Sequence, residues 1–164
     1  MSLLRIGLIA DTHGLLRPEA LEAMGGCDRI IHAGDVGDIE VLEALRQWAP
    51  VDAICGSIDR GSWADLLPEH LDLVPGGCRI HELHDFKEWV AGVGDTGPQV
   101  VVSGHSHAPS MQHRDAMLII NPGSARPRCF KLPVSAVACR RLHRSGGRTK
   151  GGATAFMAGA SASL

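Results

Sequence analysis

The sequence predicts an α/β fold in which a parallel layer is followed by a second sheet. Three observations carry this. Short apolar runs stop abruptly at polar loops, and the first three runs are separated by two segments of helical periodicity. The later runs are separated mainly by Pro- and Gly-rich loops.

Leu3 to Ala10 is apolar apart from Arg5 and Gly7, and it is too short for a helix bounded this way, so it reads as a buried strand ending in Asp11-Thr12-His13-Gly14. Pro18 opens a helix through Met24, which Gly25-Gly26 stops. Arg29 to Ala33 is a second strand, broken by Gly34-Asp35. Asp38 suits the N-cap of a helix carrying Val41, Leu42, Leu45 and Trp48 at helical spacing, and Pro50 ends it. Val51 to Cys55 is the third strand, which completes a βαβαβ series. Beyond it, Cys78 to Leu83, Gln99 to Ser103, Ala116 to Ile120 and Val134 to Leu142 read as strands of a second sheet, with one helix after Asp85.

The 164 residues suffice for one well-buried core and are too few for two ordinary domains. Residues 1–144 read as that domain, and 145–164 as a Gly-, Ala- and Ser-rich tail in which Ala153 to Met157 fits an edge strand. Hydrophobic residues at 45% exclude wholesale disorder, and a net charge of −2 gives no global reason for a polyanionic partner. The basic run Arg140, Arg141, His143, Arg144, Arg148 and Lys150 reads as solvated rather than as a nucleic-acid grip. Five scattered cysteines without a CxxC pair indicate neither a disulfide framework nor a cysteine zinc site, and Cys55 and Cys139 read as small core residues. No apolar stretch reaches membrane-spanning length and no signal-peptide pattern opens the chain, so a cytoplasmic location is expected, without a membrane partner.

Chemistry gathers at the strand ends. The first strand ends in Asp11-x-His13, the second in Gly34-Asp35-x-x-Asp38, the third in Gly56-Ser57-Ile58-Asp59, and later strands near His84 and in Gly104-His105-Ser106-His107. In open α/β sheets, ligands bind outside the carboxyl ends of the strands, so these loops deliver carboxylates and imidazoles to one rim. That donor mixture suits Zn, Mn or Fe, whereas an all-oxygen site would suit Mg or Ca. A buried Asp35 can bridge two ions. Such a pair supplies a bridging hydroxide nucleophile and clamps the oxygens of an in-line displacement at phosphorus.

Asp11-x-His13, Gly34-Asp35-x-x-Asp38, Gly104-His105-x-His107 and Asn121-Pro122-Gly123-Ser124 occur in the order of the calcineurin-like metallophosphoesterases, which the chain resembles from about Leu3 to Leu142. The resemblance is greatest to the small bacterial and archaeal phosphodiesterase branch. It implies a four-layer αββα sandwich of two mixed sheets flanked by helices, two divalent ions with Mn expected and Fe, Zn or Ni as alternatives, and a small phosphodiester or nucleotide-like substrate. Asp11, His13, Asp35 and His107 would hold one ion, and Asp35, the Ser57 position, His84 and His105 the other. Asp11, His13, Asp35, His105 and His107 would form the catalytic set.

Three departures from the family pattern matter. The family has asparagine at Ser57, where its amide oxygen is a ligand. His84-Asp85-Phe86 stands where His-Gly-His is usual, with His81 three residues earlier as the competing match. Ile58 stands where larger phosphatases carry a histidine that protonates the leaving group, and its absence points to diesters over unactivated monoesters.

Among the remaining residues, Asp38 reads as a helix cap and Asp59 as a turn residue that orients its loop. His32 reads either as orienting Asp35 or as a satisfied core histidine, and His70, His113 and His143 as surface residues. Asn121 to Ser124 reads chiefly as a turn; Arg126 and Arg128 read as solvated, with a reach to phosphate as the alternative. The competing function is a protein-binding scaffold of the same fold with weak or absent catalysis, similar to the small subunit of retromer; Ser57 and Phe86 lend it weight. Assembly into homo-oligomers stays open.

Overall fold

The computed structural model describes residues 3–89, 97–125, 135–140 and 153–157. The first half runs β1 (Leu3–Ile9), α1 (Pro18–Ala23), β2 (Arg29–His32), α2 (Ile39–Arg46) and β3 (Val51–Ala53). The second half is β4 (His70–Leu73), β5 (Ile80–Leu83), β6 (Val100–Val102), β7 (Ser110–Arg114), β8 (Met117–Asn121), β9 (Ser135–Arg140) and β10 (Ala153–Met157). Two five-stranded sheets result, in the orders β10-β9-β1-β2-β3 and β4-β5-β6-β8-β7. Both are mixed. β1, β2 and β3 are parallel to one another, β9 is antiparallel to β1 and β10 antiparallel to β9; β5, β6 and β8 are parallel, flanked by antiparallel β4 and β7.

Period-two alternation explains the layers. Ile6, Leu8 and Ala10 of the first strand, with Ile31 and Ala33, face Ile80, Val100, Val102, Leu118 and Ile120 across the space between the sheets. On the other face, Ile9 and Ile30 pack with Ala20, Met24, Val41, Leu42 and Leu45 of the two helices. A strand buried on both faces has no polar alternation, which is why β1 reads as a nearly continuous apolar run. Asp38 caps α2 by accepting from the Glu40 amide at 3.0 Å. On the outer face of the second sheet, Leu83, Val101 and Ile119 are covered by Phe86 and Trp89, and the element there among the described residues is one 3₁₀ turn, Phe86–Glu88, capped by Asp85.

The αββα architecture expected from the family resemblance is therefore present, with a slender fourth layer among the described residues. Two strands lie outside the sequence reading. β4 and β7 form the two edges of the second sheet, and their residues are half-buried or exposed, so they lack the apolar run that marks a central strand. The edge strand expected at Ala153 to Met157 is present and pairs with β9. Trp48 falls beyond α2 and is about half exposed, and Cys55 is half-buried rather than a core residue. The side chain of Cys139, Arg126, Arg128 and most of the basic run lie outside the described residues.

Candidate metal centre

Five of the seven sequence-predicted site residues share an uncommon backbone state. Asp11, His13, Asp35, His105 and His107 all have positive φ, between 52° and 65°. A non-glycine residue in the left-handed region costs on the order of 1–3 kcal/mol and persists only where its surroundings impose it. For Asp11, His13 and Asp35, backbone hydrogen bonds between loops impose it. Asp11 N donates to Gly34 O, His13 N to Asp35 O and Gly14 N to Val36 O, so the loops after β1 and β2 run on as one paired unit past the sheet edge. The Ser57 loop presses on the same unit: a Cβ added at Gly56 would meet the backbone nitrogen and carboxylate of Asp35, so this approach requires glycine.

The side chains converge in two groups that share Asp35. Asp11, His13, Asp35 and His107 each place a donor atom within 4.8 Å of the others. Nε2 of His13 lies 3.3 Å from Nε2 of His107 and 3.7 Å from Asp35 Oδ2, and His107 Nε2 is 3.5 Å from Asp11 Oδ1. Metal bonds of about 2.0–2.2 Å at a tetrahedral angle put neighbouring donors roughly 3.4 Å apart, so this spacing suits one ion. On the other side, Asp35 Oδ1 lies 3.2 Å from His84 Nε2, and the His84 and His105 rings meet edge to face at 5.2 Å between centroids. The two oxygens of Asp35 thus face different groups.

His84, not His81, occupies this rim. His84 Nδ1 donates to Ala33 O at 2.8 Å, which turns Nε2 toward Asp35. His81 instead pairs with Asp72 at 2.8 Å and packs against His70 and Trp89, away from the site. Ser57 is exposed beside Arg60, Glu69 and Asp85 in the wall of a cleft of about 350 Å³ that opens on the His84–His105 side.

Among the buried polar atoms of this rim, Asp11 Oδ2 and His84 Nε2 make no hydrogen bond, although His84 Nε2 lies 3.2 Å from Asp35 Oδ1. Burial pushes the Asp11 carboxyl up to about 7, an effect that Asp35 reinforces against the opposing pull of His84. Burial also acts on Asp35, but contact with His84 and the Ile58 amide outweighs it and holds the carboxyl at about 2. For His84 the same balance runs the other way: burial lowers its pKa, yet Asp35 and the Ala33 carbonyl raise it to about 9. Buried carboxylates and an orphaned imidazole nitrogen aimed at one space form a donor set that cations would satisfy.

A surrounding set of residues holds these loops, and the sequence reading recognised it only in part. Asp59 is buried and accepts from the amides of Val36, Gly37 and Gly56, which joins the loops after β2 and β3, as its reading as an orienting residue anticipated. Asn121 does more than shape a turn: its amide donates to Gly104 O at 2.7 Å and to Ser106 Oγ at 2.9 Å, pinning the His105–His107 loop. Ser124 Oγ donates to Asp11 O. Thr12 Oγ1 donates to Val36 O and contacts Nε2 of the fully buried His32, so His32 braces the loop ahead of Asp35, and burial lowers its pKa to about 4. The Asn-Pro-Gly-Ser sequence was the available signal for Asn121 and Ser124, whereas nothing marked Thr12.

Residues 4–142 match the family model of the calcineurin-like phosphoesterase superfamily domain. The chain is 34% identical over 138 residues to a protein of Methanocaldococcus jannaschii named a probable metallophosphoesterase, covering 76% of this chain and 70% of that one. A probable metallophosphoesterase of Methanothermobacter thermautotrophicus is 32% identical over 139 residues, covering 73% and 76%. In fold, the crystal structure of Chaetomium thermophilum Vps29 superposes with a TM-score of 0.68 at 18% identity, covering 94% of this chain and 97% of that one. With its two-sheet architecture, its convergent carboxylates and imidazoles and this family match, the chain belongs to the calcineurin-like phosphoesterase superfamily.

Proposed function

We propose that the protein hydrolyses phosphodiesters at a dinuclear metal centre held by Asp11, His13, Asp35, His84, His105 and His107. The observation that carries this reading is Asp35, whose two carboxylate oxygens face two separate groups of imidazole and carboxylate donors. A divalent pair held by these residues, with manganese as the expected metal, would supply hydroxide at neutral pH and offset phosphate charge. The chain's own part is to hold donors at fixed spacing through strained loops and to leave a cleft on one side for the ester. Ile58 is exposed beside that cleft, and its amide donates to Asp35 Oδ1 at 3.1 Å. Its side chain has no acidic proton, so Ile58 cannot protonate the leaving group, which would depart largely unprotonated or with help from solvent. General acid help is worth about 10²–10⁴-fold, so activated diesters should be turned over far faster than alkyl monoesters.

The test is hydrolysis of bis(p-nitrophenyl) phosphate and of an alkyl phosphate with added Mn²⁺, alongside a His105→Ala/His107→Ala variant. Rapid diester turnover that the double substitution abolishes, together with bound metal, is expected. Diester hydrolysis at an undiminished rate in the double variant would refute the assignment. A wild-type protein that binds no metal would favour the scaffold reading, which the likeness of fold to Vps29 keeps in view.

A further inference from the structure

Ser57 is too short to reproduce an asparagine ligand, and two potential donors near it in the sequence or the family pattern, Asp59 and His81, are engaged elsewhere. Asp59 accepts three backbone amides and His81 pairs with Asp72. Asp85, next to His84, is differently placed. Its Oδ1 accepts from Lys87 N at 3.0 Å as the cap of the 3₁₀ turn, and its Oδ2 lies 3.8 Å from His105 Nε2. Asp85, Ser57, His84 and His105 share the wall of one cleft.

As an ordinary surface ion pair, the Asp85–His105 contact would contribute little, since exposed pairs are worth about 0–1 kcal/mol. As two donors to one cation it has a clear use. A separation of 3.8 Å is close to the roughly 3.4 Å expected of neighbouring ligands at a tetrahedral ion. His84 Nε2, buried and without a hydrogen bond, is aimed at the same side of Asp35. We infer that Asp85 is a ligand of the second metal ion and takes the role of the missing amide at Ser57, completing a set of Asp35, His84, Asp85 and His105.

The inference rests on the dinuclear reading above, and it has a chemical consequence. A neutral amide ligand leaves the charge of the ion pair unchanged, whereas Asp85 adds one negative charge on the cleft side. With Asp11, Asp35, Asp85 and a hydroxide, the protein and solvent would supply four negative charges against four positive. A neutral centre attracts a dianionic monoester less than a positive one does. This favours monoanionic diesters independently of the missing general acid.

The experiment is a Mn²⁺ titration of metal-free wild type, Asp85→Asn and Asp85→Asn/Ser57→Asn by calorimetry, repeated with Co²⁺ by visible absorption, which reads ligand number and type without turnover. Asparagine at 85 retains an oxygen for the Lys87 cap, so the metal-free proteins should melt alike. Wild type should bind two ions. Asp85→Asn exchanges a charged ligand oxygen for a neutral one, so it should keep the first ion and bind the second more weakly, by roughly 10–100-fold. Adding Ser57→Asn should recover part of that loss. Two ions in the wild type and an unchanged second affinity in Asp85→Asn would overturn Asp85 alone. Failure of Ser57→Asn to recover any affinity would overturn the exchange of roles. A wild type that takes up no ion would bring down the dinuclear reading itself.

Discussion

The two sides of the candidate metal centre are built by different means. On one side, Asp11, His13 and His107 close around Asp35, with donors drawn to within 4.8 Å by loops that continue the parallel pairing of β1 and β2 beyond the sheet. On the other, His84 is buried and anchored through Nδ1, but His105 is nearly half exposed and Ser57 and Asp85 stand in the wall of an open cleft. The closed side is assembled by backbone hydrogen bonds, which fix atoms without reference to the ion. The open side depends on side chains that an ion has to gather. Pre-organised donors hold a cation more tightly than donors that must be ordered on binding, so the closed side should fill first and the open side should face substrate.

The largest effect should come from the residue both sides share. Asp35→Asn preserves size and tolerates the left-handed backbone, but it removes the charge facing both groups. Uptake of both ions should fail together in metal analysis. Since the charge stabilisation that metals supply is worth several kcal/mol, diester turnover should fall by roughly 10³-fold or more. A variant that retained one ion at full affinity would show that the two sides do not share Asp35.

A smaller loss is expected from Asn121→Ala. The substitution leaves Gly104 O and Ser106 Oγ without their buried donor, at a cost of about 1–3 kcal/mol. For a chain of this size that lowers Tm by roughly 2–4 °C per kcal/mol. Because His105 and His107 leave this one loop for opposite sides, affinity for both ions should drop, and more for the second, whose donors have less other support. Equal loss at both sides in a metal titration would contradict the difference drawn between them.

The smallest effect comes from a buried side chain two residues before His84 that is not among the proposed ligands. Glu82 is fully buried, neither of its carboxylate oxygens has a hydrogen-bond partner, and burial followed by the Asp52 carboxylate raises its pKa well above the ordinary value. The folded chain therefore holds this proton more tightly than the unfolded one. Its contribution to stability is complete below the ordinary carboxylate pKa of about 4.5 and is lost as pH rises above it. Glu82→Gln should raise Tm by a few degrees at neutral pH and leave it unchanged near pH 4. The test is Tm measured across that range with metal affinity alongside; a lower Tm at neutral pH would mean that the carboxylate has a cationic partner.

Much of the molecule was legible in the order of its residues. β1, β2, α1 and α2 follow from apolar runs buried on both faces, from Pro18 and Asp38 as helix starts, and from Gly25 and Pro50 as stops. The edge strands β4 and β7 were not legible, because they place only a few half-buried apolar residues, such as Leu73 and Met111, on the core and are otherwise held by their neighbours' backbones. The polar residues at strand ends pointed to a candidate metal site, since parallel strands must deliver their carboxyl ends to one rim.

Tertiary structure alone decided how that rim is arranged. The spacing of His81 and His84 left both available; the choice of His84 came from the Ala33 carbonyl, a partner 51 positions away. The left-handed backbone of Asp11, His13, Asp35, His105 and His107 could not be read locally, because Asp and His tolerate that conformation without requiring it, and at Asp11, His13 and Asp35 it is the paired loops that impose it. Asp85 beside His105 is likewise a contact between separate strand ends, made by the register of β5 against β6. Local sequence determines which strands form and what chemistry they carry to their ends. Which donors meet is decided by hydrogen bonds and packing between segments distant in the chain, and their energies belong to pairs rather than to single residues.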